Sequence, residues 1–121
     1  MERCPELLDL EVFFGSAAIY SYGNEGGWHY DRLKFLHVAT AAETSCVLEP
    51  AEGTFSVAHR CAGVEVLNVS LQHVAVLDIE SSAGAQVLIG RVATPGLVQL
   101  FKLHLSPEFY FSLVTQLPSY K

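Results

Sequence analysis

The sequence predicts a mainly β fold, in which a seven- or eight-stranded antiparallel barrel or sandwich is capped by one C-terminal α-helix. Short runs of alternating apolar and polar residues are separated by turns rich in Gly, Pro and Ser, which is typical of consecutive antiparallel strands. Near the C-terminus the apolar residues change to a helical spacing. Strands do not alternate with helices along the chain, so a parallel nucleotide-binding sheet is not expected.

The N-terminal part is predicted to hold two strands joined by a loop. The first covers residues 7–20, with alternate apolar residues on one face, and a short helix over residues 5–10 is the alternative interpretation. The second covers residues 32–39. Between them, residues 22–30 read YGNEGGWHY, a glycine-rich loop that contains the only tryptophan.

The middle of the chain predicts five further short strands, bounded by turns of glycine, proline and small polar residues. The strand over residues 54–59 alternates most regularly, and it should direct Phe55 and Val57 inward. The other four predicted strands cover residues 46–49, 64–71, 72–79 and 86–92.

The C-terminal part predicts one more strand and then a helix. Residues 97–105 place Phe101 and Leu103 on one face. Residues 106–108 read Ser-Pro-Glu, which supplies an N-cap, a proline at the first helical position and an acid near the positive end of the helix dipole. The helix should continue until Pro118, with an apolar stripe that repeats every four residues: Phe109, Leu113 and Leu117.

Composition limits the classes of function. A chain of 121 residues suits a single domain, and the formal net charge of −6 arises from 13 acidic and 7 scattered basic residues. Because nucleic acid and anionic membranes are usually met by clustered Lys and Arg, both are disfavoured as partners. The sequence shows neither a signal peptide nor a membrane-spanning run, and its three cysteines lack a disulfide framework. We therefore expect an intracellular protein, cytoplasmic or nuclear.

Both ends of the chain resemble the pleckstrin-homology-like (PH-like) superfamily. Gly15, the loop of residues 23–27, Trp28 and Arg32 before LKFL are similar to the opening of that family. Residues 101–117, FKLHLSPEFYFSLVTQL, are similar to its last strand and capping helix. The resemblance spans nearly the whole chain and rests on pattern. It implies one PH-like domain over residues 1–121, which we expect to be part of a longer protein.

The resemblance implies a non-enzymatic scaffold or targeting module that binds a protein or peptide at a strand edge, the capping helix or a loop. Exposed aromatic side chains are common anchors in such contacts, although the loop aromatics could instead close the end of the barrel. The candidate partner-binding residues are Tyr22, Trp28 and Tyr30 in the loop, and Tyr110, Gln116 and Tyr120 at the helix. A homodimer through an edge strand, residues 64–71 or 72–79, is a further possibility.

Other ligands are less favoured. Arg32 and Lys34 are candidate phosphate-binding residues, as in phosphoinositide-binding members, but Glu25 and Asp31 in the same region oppose an anion. A small-molecule or lipid-binding barrel would need interior space, which the phenylalanines of the strands should fill. We expect no cofactor and no metal, because the histidines and cysteines lack ligand spacing.

The sequence assigns no catalytic residue, so we do not expect an enzyme. Its strand carboxylates, Glu65, Asp78 and Glu80, have no partner acid or base at an informative spacing. The cysteine and histidine pairs show no third group that would orient them.

Overall fold

The computed structural model describes residues 1–116 and shows two antiparallel sheets with one α-helix. The helix, α1, covers Leu7–Phe14, and a short 3-10 turn covers Trp28–Tyr30. The first sheet contains β1 (Ile19–Tyr20), β2 (Leu33–Ala39), β3 (Ala42–Glu49), β4 (Thr54–Cys61) and β5 (Val64–Leu71). The second contains β6 (Val74–Ser82), β7 (Ala85–Thr94), β8 (Leu97–His104) and β9 (Tyr110–Gln116).

Each sheet follows chain order, so within a sheet every strand pairs with its neighbours in sequence. The prediction of a mainly β antiparallel fold is therefore confirmed. The described strands do not form a closed barrel, because β5 and β6 lie in different sheets and do not pair with each other. His73, between them, has a φ of 59°, at the point where the chain leaves one sheet for the other.

Buried phenylalanines from both sheets and the helix form the core. Phe35 of β2 stacks on Phe14 of α1 with ring centroids 4.6 Å apart, and Phe55 of β4 stacks on Phe101 of β8 at 5.2 Å. These four side chains are at most 1% exposed. The inward direction predicted for the strand phenylalanines is confirmed, and side chains fill the space between the sheets.

The predicted strand over residues 7–20 is wrong for its first part. Residues 7–14 are helical, as the alternative helix over residues 5–10 partly anticipated, and only Ile19 and Tyr20 form a strand. The helix buries Leu10, Phe13 and Phe14, whose spacing is i, i+3, i+4. Gly15 ends it in the left-handed region at φ 70°, and its N–H bonds to carbonyls of the last turn.

The predicted C-terminal helix is also wrong within the described residues. Residues 110–116 form β9, which pairs with β8 from His104 opposite Tyr110 to Val98 opposite Gln116. Residues spaced by four also share a face of a strand, because four is a multiple of the strand period of two. The helical pattern of Phe109 and Leu113 therefore fits a strand equally well.

The only α-helix within residues 1–116 is thus N-terminal. The resemblance to the PH-like superfamily remains a prediction, and the capping helix that it implied is not found within these residues. The remaining predicted helix positions, residues 117 and 118, lie outside the described residues.

The N-terminal segment runs beside the outer edge of β6. The Glu2 N–H donates to the Ala75 carbonyl at 2.7 Å, and the Leu77 N–H donates to the Arg3 carbonyl at 2.9 Å. Arg3 and Val76 form a parallel bridge. The main-chain groups at the start of this edge strand are therefore satisfied within the chain. Within residues 1–116, no helix is long and apolar enough to cross a membrane.

Candidate functional site

The four edges of the two sheets differ in how they are protected. β1 has only two residues, and β6 is partly covered by the N-terminal segment. The pairing of β5 with β4 shifts between His59 and Arg60, and β5 carries Glu65. Short length, covering, bulges and charges are the usual devices that stop edge strands from pairing with other chains. Each of these three edges has at least one such device.

Within residues 1–116, β9 shows none of these devices. It is seven residues long, its sequence YFSLVTQ contains no charge and no proline, and its pairing with β8 is regular throughout. Within residues 1–116, no strand pairs with its other side. The N–H and C=O groups on that side are therefore open to hydrogen bonds from another chain.

Apolar side chains lie on both faces of β9. Tyr110 and Val114 are each 56% exposed and share the outer face of the sheet, while Leu113 lies on the core side and is still 39% exposed. Phe111 is partly buried, with its ring centroid 6.1 Å from that of Phe101. An extended segment placed along β9 would thus find main-chain partners and apolar contacts on either side.

The outer face of the second sheet continues from β9 toward β6. Leu100 lies opposite Val114 and leads to a shallow groove of about 520 Å³, whose apolar floor includes Ile89 and Val76. The rim of the groove is charged, with an ion pair between Arg3 and Asp78 and another between Arg91 and Glu2. This face offers a partner both apolar and charged contacts beside the β9 edge.

The loop of residues 22–30 is held in shape by the buried carboxylate of Asp31. Its Oδ1 accepts from the Tyr22 N–H at 3.0 Å, and its Oδ2 accepts from the Asn24 N–H at 2.8 Å. Burial raises the pKa of Asp31, but the backbone N–H donors outweigh burial and hold this pKa below its usual value. Asp31, which the sequence predicted to oppose an anion in this region, is therefore a structural residue of the loop.

The loop presents two of its three predicted contact residues. Tyr22 is 60% and Tyr30 74% exposed, whereas Trp28 is partly buried, packs against the core and stacks on His29 at 3.8 Å. The His29 carbonyl accepts from the Ala51 N–H at 3.1 Å, which ties the loop to the turn between β3 and β4. Partner binding by this loop remains a prediction, with the two tyrosines as its exposed anchors.

The structure places the predicted residues near the C-terminus at separate points. Tyr110 and Gln116 lie at opposite ends of β9, about 20 Å apart at the usual rise of a strand, and both are exposed. Tyr110 contacts His104 edge to face at 5.4 Å. Tyr120 lies outside the described residues. The helical surface predicted for these three residues is replaced by the β9 edge.

The two candidate phosphate-binding residues lie two positions apart at the start of β2. Arg32 precedes the strand, and its Nε is 3.8 Å from Oε1 of Glu49. Lys34 is exposed and lies opposite Val47 of β3. An anion at this point would meet the Glu49 carboxylate as well as the two cations. Phosphate binding by this pair remains a prediction.

Sequence reasoning missed a hydrogen-bonded trio on β3 and β4. The Thr44 hydroxyl is 2.8 Å from Nδ1 of His59, and Nε2 of the same ring is 3.3 Å from Sγ of Cys61. The cross-strand pairing of Thr44 with His59 supplies the third group that the sequence did not show. The one local signal was the i, i+2 spacing of His59 and Cys61, which places both on one face of a strand. Within the described residues, no group of three or more His, Cys, Asp and Glu could hold a metal ion.

Comparison with known proteins yields a structural likeness. No protein family model matches the chain, and no curated protein matches it. Among solved structures, the chain is similar to a chain of the "Contact-dependent growth inhibition toxin - immunity protein complex from Klebsiella pneumoniae 342", with a TM-score of 0.79 and 14% identity. The match covers 95% of this chain and 96% of that one. At this identity the likeness shows a shared fold.

Proposed function

We propose that this chain is a non-enzymatic protein-binding domain, and that its partner adds an extended segment to the free edge of β9. The observation that carries the proposal is the difference between β9 and the other three edges. An uncharged edge of seven residues with exposed apolar side chains tends to pair with another chain. A specific partner would cover this surface and keep it from non-specific association.

The chemistry of β9 defines the partner segment. Main-chain hydrogen bonds would supply much of the affinity, and alternate side chains of the segment would contact the two faces of the edge. Val114 and Tyr110 offer apolar contacts on the outer face, and Leu113 offers one on the core side. The partner segment is therefore extended and apolar at alternate positions. To pair along most of β9, it should be about five to seven residues long.

Two further observations support a protein partner. The similar fold occurs in a chain of a toxin and immunity protein complex, so a chain of this architecture takes part in an assembly with another protein. The formal net charge of −6 favours association with a protein that has a basic surface. We extend protein binding, and not the identity of the partner, from that complex to this chain.

The alternative of an internal small molecule or lipid has less support. The four phenylalanines that meet between the sheets are at most 1% exposed, so side chains occupy the region that such a ligand would need. The grooves around the described residues open on the surface instead.

A pair of matched substitutions tests the proposal. Val114→Lys places a charge beside the β9 edge, and Val64→Lys places the same charge on β5 at a residue of similar exposure, 63% against 56%. Both changes are at exposed sites and should alter stability by about 0.5 kcal/mol or less. Native domain and variants are immobilised and exposed to extract from the source organism, and retained proteins are quantified by mass spectrometry.

We expect a protein that the native domain and Val64→Lys retain and that Val114→Lys loses. A third variant, Tyr22→Ala with Tyr30→Ala, examines the loop in the same experiment. If Val114→Lys retains the partner and the loop variant loses it, binding by the β9 edge is wrong and the loop is the contact surface. If all variants retain it equally, both surfaces are excluded.

A further inference from the structure

A groove of about 490 Å³ lies between the first sheet and the segment that leads into β9. Thr44, His59 and Cys61 line one side of it, and Leu105, Glu108 and Phe109 line the other. His59 is 6% exposed, and its ring stacks on that of Phe109 with ring centroids 3.7 Å apart and planes 7° apart. Cys61 is exposed at the mouth. A solvent-accessible thiol thus meets a fixed imidazole beside a cavity.

The order of the groups matches that of an activated nucleophile. Burial lowers the pKa of His59, which favours the neutral form of the ring. In the tautomer with hydrogen on Nδ1, the ring donates to the Thr44 hydroxyl, and the lone pair of Nε2 accepts from the Cys61 thiol. A thiol, a base within hydrogen-bond reach and a third group that orients the base form the usual arrangement for nucleophilic chemistry.

The other two cysteines lack these features. Cys46 is buried, and burial raises the pKa of its thiol. Burial also raises the pKa of Cys4, to about 11. Because the thiolate is the reacting species, both thiols should react slowly in the folded protein. Cys61 is therefore distinguished by exposure and by its partner.

We propose that Cys61 is a reactive thiol that forms mixed disulfides with low-molecular-weight disulfides, with His59 as its base and Thr44 as the residue that positions His59. The Cys61 sulfur attacks one sulfur of the small disulfide, a new S–S bond forms, and the old S–S bond breaks. The leaving thiolate carries away the electron pair, and the Cys61 proton passes to Nε2 of His59 and then to the leaving thiolate or water. No further oxidant is needed. This modification is independent of partner binding at β9.

The reaction is measured with dithiodipyridine, a neutral disulfide whose thiopyridone product absorbs light, and with glutathione disulfide followed by intact and peptide mass spectrometry. In the native protein we expect one rapid modification, mapped to Cys61, and two slow ones. Cys61→Ser should abolish the rapid phase and leave the slow ones. If the rapid phase persists in Cys61→Ser, or if no rapid phase exists in the native protein, the assignment is overturned.

Two further variants show whether Cys61 reacts rapidly because of His59 or only because it is exposed. A free thiol with a pKa of about 8.5 is about 3% thiolate at pH 7. Full conversion to the thiolate can therefore raise its reaction rate by about 30-fold at most. Within that limit we expect His59→Gln to slow the rapid phase at pH 7 by about fivefold or more, and Thr44→Val to slow it less. Circular dichroism and the slow labelling of Cys46 verify that each variant is folded.

The pH dependence provides a readout that a purely structural role would not change. His37 of β2 and Glu108 of the facing segment also line the groove, so they are replaced singly by Gln as controls. The rate in the native protein should depend on pH less steeply than in His59→Gln, which should follow the thiolate fraction of a free thiol. If His59→Gln and Thr44→Val react as fast as the native protein and with the same pH profile, His59 is not the base.

Discussion

Replacing Gly90 with alanine tests the packing between β7 and β8. Gly90 lies opposite Phe101, and a Cβ added at Gly90 would overlap two atoms of the buried Phe101 ring. The ring cannot move freely, because it also stacks on Phe55 and Phe111. Forcing extra volume into a packed core costs about 1–3 kcal/mol. Because the overlap is deep and the ring is held on two sides, we expect the cost of Gly90→Ala to lie near the upper end of that range.

A smaller favourable effect opposes this cost. Alanine restricts the unfolded chain more than glycine does, which stabilises the protein by about 0.4–1 kcal/mol where the backbone allows it. We therefore expect Gly90→Ala to lower the free energy of unfolding by about 2 kcal/mol net. In urea, where the slope is about 1–3 kcal/mol per M, the midpoint should fall by about 1 M. The melting temperature should fall by about 6–10 °C.

Two variants identify the ring as the cause. Phe101→Leu removes the atoms that a Cβ at Gly90 would meet, so adding Gly90→Ala to Phe101→Leu should cost less than about 0.5 kcal/mol. Gly26→Ala is the matched control, since a Cβ there would meet only Tyr30 Cβ at an ordinary 3.7 Å. Urea unfolding is followed by tryptophan fluorescence and circular dichroism. If Gly90→Ala is as stable as the native protein, the packing of Phe101 on β7 is wrong.

Two further predictions concern the end of the molecule that holds the loop. The pKa of Asp31 in the folded state lies below its usual value of 3.8, so the ionised carboxylate stabilises the fold at pH values above 3.8. This stabilisation should be lost as the pH falls below 3.8. Acid titration should therefore unfold the native protein more steeply below pH 3.8 than Asp31→Asn, and parallel titrations would contradict this role. Gly53→Ala should destabilise the protein by about 1–2 kcal/mol or more, because φ is 67° and the Cβ would lie 3.1 Å from the Val74 carbonyl oxygen. Gly96→Ala, at φ 79° with nothing within 4 Å, should cost less in the same urea assay, and an equal cost would show that the Val74 contact is unimportant.

The strands were predictable where side chains alternate about a buried face. Phe55 and Val57 of β4 were assigned inward, and Phe101 and Leu103 of β8 to one shared face, from their spacing, and all four are buried. Antiparallel pairing also followed from the sequence, since short turns join most of these strands. The division into two sheets was not predictable, because the residue pattern at 71–74 does not indicate that β5 and β6 will pair with different strands and not with each other.

Both errors in assigning helices arose from spacings that fit two structures. Residues 109 and 113 share a face in a helix and in a strand, so Ser106-Pro107-Glu108 decided the prediction, whereas pairing with β8 decides the structure. Leu10 and Phe14 likewise suit both periods. Phe13 distinguishes them, because it joins its neighbours on one face only in a helix, and Gly15 marks the end. The β9 edge and the trio around His59 depend on pairing between strands, which no local pattern contains.

The most direct test of binding by β9 is amide hydrogen exchange of the domain with and without its captured protein partner. Every second N–H of β9 points away from β8, and in the free domain these amides should exchange rapidly. If a partner strand adds to this edge, exchange in residues 110–116 should slow in the complex while that of β5 stays unchanged. If β9 exchanges equally in both states and protection appears in residues 22–30 or elsewhere, the partner does not bind by pairing with β9.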